Sequence, residues 1–216
     1  MNPPDPGAVL SLWAAGLAAA VALVATWKVA RPGFILLGTS VAAGIGILAS
    51  VAGAGWWAAA AAFISLLGVY LRISRWAAMP LAAASLLWLD AAHLPWNWLI
   101  VISGAIALGG VSSEMLLGHW YLVDPKLPRR ALKILAAIGA AGIAFDTVLV
   151  QVFAEDSSVI SPTVLIGLGA TTVILMVGVW FSLRVPSYTG VMAATGLSYL
   201  ATLTALGAVV IGRAVI

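Results

Sequence analysis

Three carboxylates stand inside otherwise apolar stretches of the chain: Asp90, Glu114 and Asp146. Such a group at the centre of a membrane helix costs about 2.5–3.5 kcal/mol on the insertion scale, so each calls for a partner, a proton or a function. Glu114 shares its angular position on a helix with Ser103, Ala107, Gly110 and Tyr121, and Asp146 shares its own with Gly139 and Gly142. An acid on a strip of small residues is expected to face a neighbouring helix rather than lipid. From the rise per residue, Glu114 falls about 16 Å from Pro125, Asp146 about 13 Å from Glu155 and Asp90 about 8 Å from Pro95. With His119 near one membrane surface and His93 near the other, these side chains form a candidate ladder of titratable groups, with Glu114, Asp146 and Asp90 as proton-binding candidates. The plainer alternative is that each acid is protonated or hydrogen-bonded to a Ser, Thr, Trp or Tyr of the next helix.

The most distinctive segment runs Gly118-His119-Trp120-Tyr121-Leu122-Val123-Asp124-Pro125-Lys126-Leu127-Pro128. His119, Trp120 and Tyr121, with His93, are the candidate ligand- or cofactor-binding residues, because an imidazole can ligate a haem iron or hydrogen-bond a quinone carbonyl. Two-histidine haem ligation within the chain is disfavoured, since a helix of about 35–40 Å separates His93 from His119. The alternative for His119 is an interfacial histidine beside two aromatic rings. Trp88, Asp90, His93, Trp96 and Trp98 make a second polar and aromatic group near the opposite surface. No cofactor is predicted outright, and no metal site. HExxH, GxSxG and Walker motifs are absent, so the expectation is a protein that is not an enzyme. An enzyme on this chain would act on lipid or quinone within the bilayer.

The elements that must carry these residues follow from composition. Of 216 residues, 63% are hydrophobic and 8% charged, against roughly 45–50% and 25% in soluble domains. No water-soluble monomer hides that much apolar surface. The ten Lys and Arg are scattered, so the net charge of +3 does not indicate a nucleic-acid partner. Cysteine is absent, which excludes disulfides and thiolate-held metals or clusters. No Lys or Arg precedes Lys28, so the first apolar segment is expected to stay in the mature protein.

Eight stretches approach the roughly 20 residues that span hydrocarbon, at about 8–27, 33–53, 56–72, 76–94, 97–123, 131–154, 161–183 and 187–211. The third and fourth are the shortest, divided by Arg72 and Arg75. With both termini outside, Lys28, Arg31, Arg72, Arg75, Lys126, Arg129, Arg130, Lys133 and Arg184 all fall in cytoplasmic turns, and only Arg213 falls outside. That distribution obeys the positive-inside rule. Each basic turn holds an aromatic residue and then a proline (Pro32, Pro80, Pro128 and Pro186), a plan compatible with tandem helical hairpins. Alanine and glycine crowd every span, which favours close helix packing. Trp27, Trp56, Trp57, Trp96, Trp98 and Trp120 are expected as interfacial anchors, with an aromatic cofactor pocket as the alternative.

The expected fold is therefore an all-α integral membrane protein, a polytopic bundle of about eight helices in a single domain, in a bacterial cytoplasmic membrane. The leading functional expectation is proton-linked transport of a small solute or ion by intramembrane carboxylates. The alternative is a non-catalytic membrane subunit of a larger assembly, redox, haem- or quinone-associated. Expected partners are lipids and either further membrane subunits or copies of the chain.

Overall fold

A computed structural model describes residues 5–70, 77–92, 97–154 and 162–214. The described chain is helical throughout, without strands. The helices are α1 (Pro6–Trp27), α2 (Pro32–Ala49), α3 (Trp56–Tyr70), α4 (Ala78–Ala91), α5 (Trp98–Tyr121), α6 (Arg129–Phe153), α7 (Pro162–Ser182) and α8 (Tyr188–Ala214). All eight expected spans are thus present as helices, and local chemistry sets their ends. Asp5 caps α1 by accepting a 2.9 Å hydrogen bond from the Gly7 amide, and Asn97 caps α5 through the Leu99 amide at 3.1 Å. Each cap satisfies one of the amides that a helix N-terminus leaves unpaired. Proline opens α1, α2 and α7, where its missing N–H costs nothing. Lys28 ends α1 in the left-handed region at φ 55°, and Gly53 and Gly55, at φ 116° and 79°, turn the chain from the π-helical end of α2 (Ser50–Ala54) into α3.

Six helices are long and apolar enough to cross a membrane, while α3 and α4 are 15 and 14 residues long. At 1.5 Å per residue these two reach only about 21–22 Å, short of a hydrocarbon core of about 30 Å. Arg72, Arg75, His93, Trp96, Glu155 and Asp156 lie outside the described residues.

The helices form two matched rings. Helices α1 to α4 pack in sequence and close through α1 against α4, and α5 to α8 close likewise through α5 against α8. Two apolar cores result, one mainly within each ring, and they interleave at the junction, where Val9, Val24 and Phe34 join the second ring's core and Val101 and Ala105 join the first's. The rings meet where α1 crosses α5, and these are the two most enclosed spans: 72% of each is buried, against 28% of α7. Gly16 and Gly109 make that crossing possible. A Cβ on Gly16 would lie 1.8 Å from the Ala105 carbonyl oxygen, and one on Gly109 would lie 2.2 Å from the Gly16 carbonyl oxygen. Without side chains the two backbones touch, and dispersion replaces the hydrophobic effect that lipid cannot supply. Each glycine precedes a tryptophan, Trp27 or Trp120, by the same interval of eleven residues.

Polar contacts knit one end of the bundle. Arg31 and Asp124 form a 2.9 Å ion pair between the α1–α2 and α5–α6 turns. Arg129 donates to the carbonyls of Val185, Pro186 and Ser187 in the α7–α8 turn, and Arg184 stacks 3.8 Å from the Trp180 ring. Lys28, Arg31, Lys126, Arg129, Arg130, Lys133 and Arg184 therefore share the end at which α5 finishes with His119. Exposed Leu36, Leu48, Phe63, Phe145, Ile174 and Leu203 give the flanks an apolar coat suited to lipid.

Candidate functional site

The strip of small residues does turn both spanning acids inward: Glu114 is wholly buried and Asp146 is 1% exposed. Their surroundings then differ completely. Asp146 on α6 meets Arg213, in the last turn of α8, in a two-pronged ion pair with N–O distances of 2.8 and 2.7 Å. Arg213 also donates to the Ile100 carbonyl at 2.6 Å, and Ser103 donates to Asp146 Oδ1 at 2.6 Å. Three helices, α5, α6 and α8, are thereby clamped at one point. Gly104 makes the room, since a Cβ there would stand 2.2 Å from an Arg213 guanidinium nitrogen. Arg213, expected just past a last span of about 187–211, instead lies within α8. Helix α8 continues to Ala214 and carries the cation, 3% exposed, into the bundle. Such a planar, hydrogen-bonded geometry offsets much of the cost of taking two polar groups out of water.

Glu114 sits about 16 Å along α5 from the Ser103 level. Its Oε2 contacts the Ser198 hydroxyl of α8, and its Oε1 has no hydrogen-bond partner among the described residues. No Lys or Arg among the described residues lies within ion-pair distance of it. The Ser198 hydroxyl is also 2.8 Å from the Ala194 carbonyl oxygen. The single Ser198 proton is therefore shared between the Glu114 carboxyl oxygen and the Ala194 carbonyl. Thr195 and Thr202 flank Ser198, Thr202 reaching the Met115 sulfur at 3.6 Å and the Ser198 carbonyl at 2.9 Å. Ser198, Thr195 and Thr202 were not among the expected site residues. Their spacing of three and four along an otherwise apolar span was the available signal.

The remaining candidates separate. His119 is exposed, with Nδ1 3.3 Å from the Tyr199 hydroxyl. Trp120 lays its ring against Gly33 at the start of α2, and Tyr121 is buried with the Arg129 guanidinium 5.9 Å from its ring centre. Three consecutive side chains thus meet three different helices, as steps of about 100° along a helix require. Asp90 is exposed, and His93 lies outside the described residues. Among the described residues no three His, Asp or Glu side chains converge as a metal site would need. Of the tryptophans expected as anchors, Trp56, Trp57 and Trp98 are exposed at the first residues of α3 and α5. Trp13 and Trp88 instead point inward, their indole N–H groups donating to Ser112 Oγ at 2.7 Å and the Ala58 carbonyl at 3.0 Å.

Apart from these sites, an apolar groove of about 290 Å³ runs between the rings, lined by Ala19 and Leu23 of α1, Leu89 of α4, Ile102 and Ile106 of α5 and Ile138 of α6. It contains none of the acids. No family model, curated protein or solved structure compared with the chain matches it. The architecture itself defines the class: an all-α, polytopic membrane bundle.

Proposed function

We propose that the protein moves a small solute or ion across its membrane in step with protonation of Glu114. The observation that carries this reading is the contrast between the two interior acids. Asp146 is neutralised by Arg213, whereas Glu114 is equally buried, has no Lys or Arg beside it among the described residues and leaves one carboxyl oxygen without a described partner. An intramembrane acid kept without structural compensation is best explained by a proton that comes and goes. The two-ring architecture supports the same reading, because transporters built from paired halves work by one half rocking against the other. Asp146 drops out of the proton path in this scheme and serves as a clamp. The gathering of seven basic residues at the His119 end supports placing that end in the cytoplasm.

The test is reconstitution into liposomes that hold a pH-sensitive dye, under an imposed pH gradient, with and without candidate solutes. Wild type should move protons and Glu114→Gln should not, at equal yield and monodispersity. Equal proton movement in both would overturn the assignment.

A second reading, a membrane subunit of a larger assembly, is favoured by the groove between the rings, whose floor of Ala15, Gly16, Ala20, Ala105 and Gly110 between larger apolar side chains suits a partner's apolar side chains. Recovery of a defined complex from native membranes, with no proton movement by the isolated chain, would favour it.

A further inference from the structure

The two ends of the α5–α8 seam differ in what they offer a proton. Toward Arg213, the buried α8 residues are Ala201, Ala205, Ala208 and Val209, all at most 1% exposed, and α5 answers with Ala107, Leu108 and Val111, all fully buried. On α8 between Thr202 and Arg213 the one hydroxyl is Thr204, which pairs with Thr172 of α7 at 2.8 Å, and on α5 Ser112 is taken by Trp13 of α1, so between the level of Ser112 and the clamp of Asp146 and Arg213 the facing residues are apolar. A proton does not hop through about 15 Å of close-packed methyl groups.

The other direction is short and polar. Ser198, on Glu114, is followed by Tyr199, whose hydroxyl meets His119 at the exposed surface. Between that pair and Glu114 stands Gly118. The position its Cβ would occupy lies 2.8 Å from the Thr195 hydroxyl oxygen and 3.8 Å from Glu114 Oε1. The unpartnered carboxyl oxygen and the Thr195 hydroxyl therefore border the same bare stretch of α5. Thr195 donates its proton to the Val191 carbonyl at 2.9 Å and keeps a lone pair to accept another.

We propose that in the described conformation Glu114 exchanges its proton through the His119–Tyr199 end of the bundle, past Thr195 and Gly118, while the Asp146–Arg213 end is closed to it until solute binding rocks one ring against the other. The proposal rests on Glu114 being the proton-binding group. The exchange is a bare proton transfer: aqueous acid protonates the His119–Tyr199 pair, and the pair passes the proton to the carboxylate at Oε1. Charged and titratable groups on the packed helices are few. Helices α1 and α2 carry none, α4 carries Asp90, α6 carries Arg129, Arg130, Lys133 and Asp146, and α8 carries Tyr188, Tyr199 and Arg213. Only Tyr199 among these stands between Glu114 and the surface at His119.

The test labels Glu114 with a membrane-permeant hydrophobic carbodiimide, which reacts with the protonated carboxyl and leaves an N-acylurea readable by mass spectrometry. The protein is reconstituted into vesicles, its orientation is read from a Lys126→Cys reporter, and the pH is set separately on each side. Labelling should follow the pH on the His119 side, rising up to about tenfold per unit of acidification, and ignore the other side. After a pH jump on the His119 side, His119→Gln and Tyr199→Phe should each slow the approach to the new labelling level by about tenfold or more. A purely structural role would change neither the sidedness nor that rate. Labelling that follows the opposite side, both sides alike or neither overturns the proposal. The assay needs no solute, so a protein that labels as expected yet moves nothing would retire the transport reading and leave the route standing.

Discussion

At the scale of single residues, Asp146 and Glu114 show that burial alone does not define a site. Both acids lie on small-residue strips, and both turn inward as that pattern requires. What separates them is a guanidinium 67 positions away from Asp146 in the chain. Removing one partner of that pair strands a buried charge, which costs roughly 3–5 kcal/mol, whereas exchanging both for apolar groups of similar volume is close to neutral. Asp146→Ala and Arg213→Ala should therefore each sharply lower the detergent-solubilised protein's resistance to thermal unfolding. The double variant Asp146→Leu/Arg213→Met should recover most of the loss. Glu114→Gln should behave differently, since an amide can keep the Ser198 contact. Stability within about 1 kcal/mol of wild type is expected alongside lost proton movement.

At the scale of helices, the decisive contact is the crossing of α1 and α5. Gly16→Ala would drive a methyl to 1.8 Å from the Ala105 carbonyl oxygen, so the backbones must part. Overpacking of this kind costs roughly 1–3 kcal/mol, and the rings should loosen along the α1–α5 seam. Gly44 and Gly196 are also helical, but a Cβ on either meets nothing within 4 Å. Gly44→Ala and Gly196→Ala should be neutral or stabilising by up to about 1 kcal/mol, because alanine is the better helix former. A melting series over these three variants checks the crossing directly. A Gly16→Ala protein as stable as the Gly44→Ala protein would contradict the described packing. The tryptophans carry a related lesson. Their type predicts an interface, but Trp13 and Trp88 lie on the inner faces of α1 and α4, and Ser112 Oγ and the Ala58 carbonyl satisfy their N–H groups.

At the scale of the whole molecule, two closed four-helix rings share one seam, with basic residues gathered at one end. The alternation of helix direction requires Ser187 and Lys126 to lie on one side of the membrane and Asn97 on the other. The chain has no cysteine, so single-cysteine variants report without background. Ser187→Cys and Lys126→Cys should react with an impermeant maleimide from the same side of oriented vesicles, and Asn97→Cys only from the opposite side. Reaction of all three from one side would break the topology on which the proton route depends. Of the two short helices, α3 packs against α2 and α4 away from the seam, whereas α4 lies against α1, where Ser85 donates to the Ala15 carbonyl at 2.8 Å, and reaches the groove with Leu89.

The helices and most of their ends were legible in the sequence, because they rest on local physics. Apolar run length, prolines at first turns and caps such as Asp5 and Asn97 act within a few residues of themselves. The inward turn of Glu114 and Asp146 was legible for the same reason, since a helix face is a matter of spacing. The divergence of His119, Trp120 and Tyr121 follows from that spacing too, but not which helix each would meet. Only the tertiary structure decided that Asp146 is neutralised and Glu114 is not, that Ser198 rather than another hydroxyl meets Glu114, and that Arg213 belongs to the interior. These contacts join residues 67 and 84 positions apart. They depend on which helices are neighbours, and apolar spans give little directional information about that, because lipid solvates one leucine face as well as another.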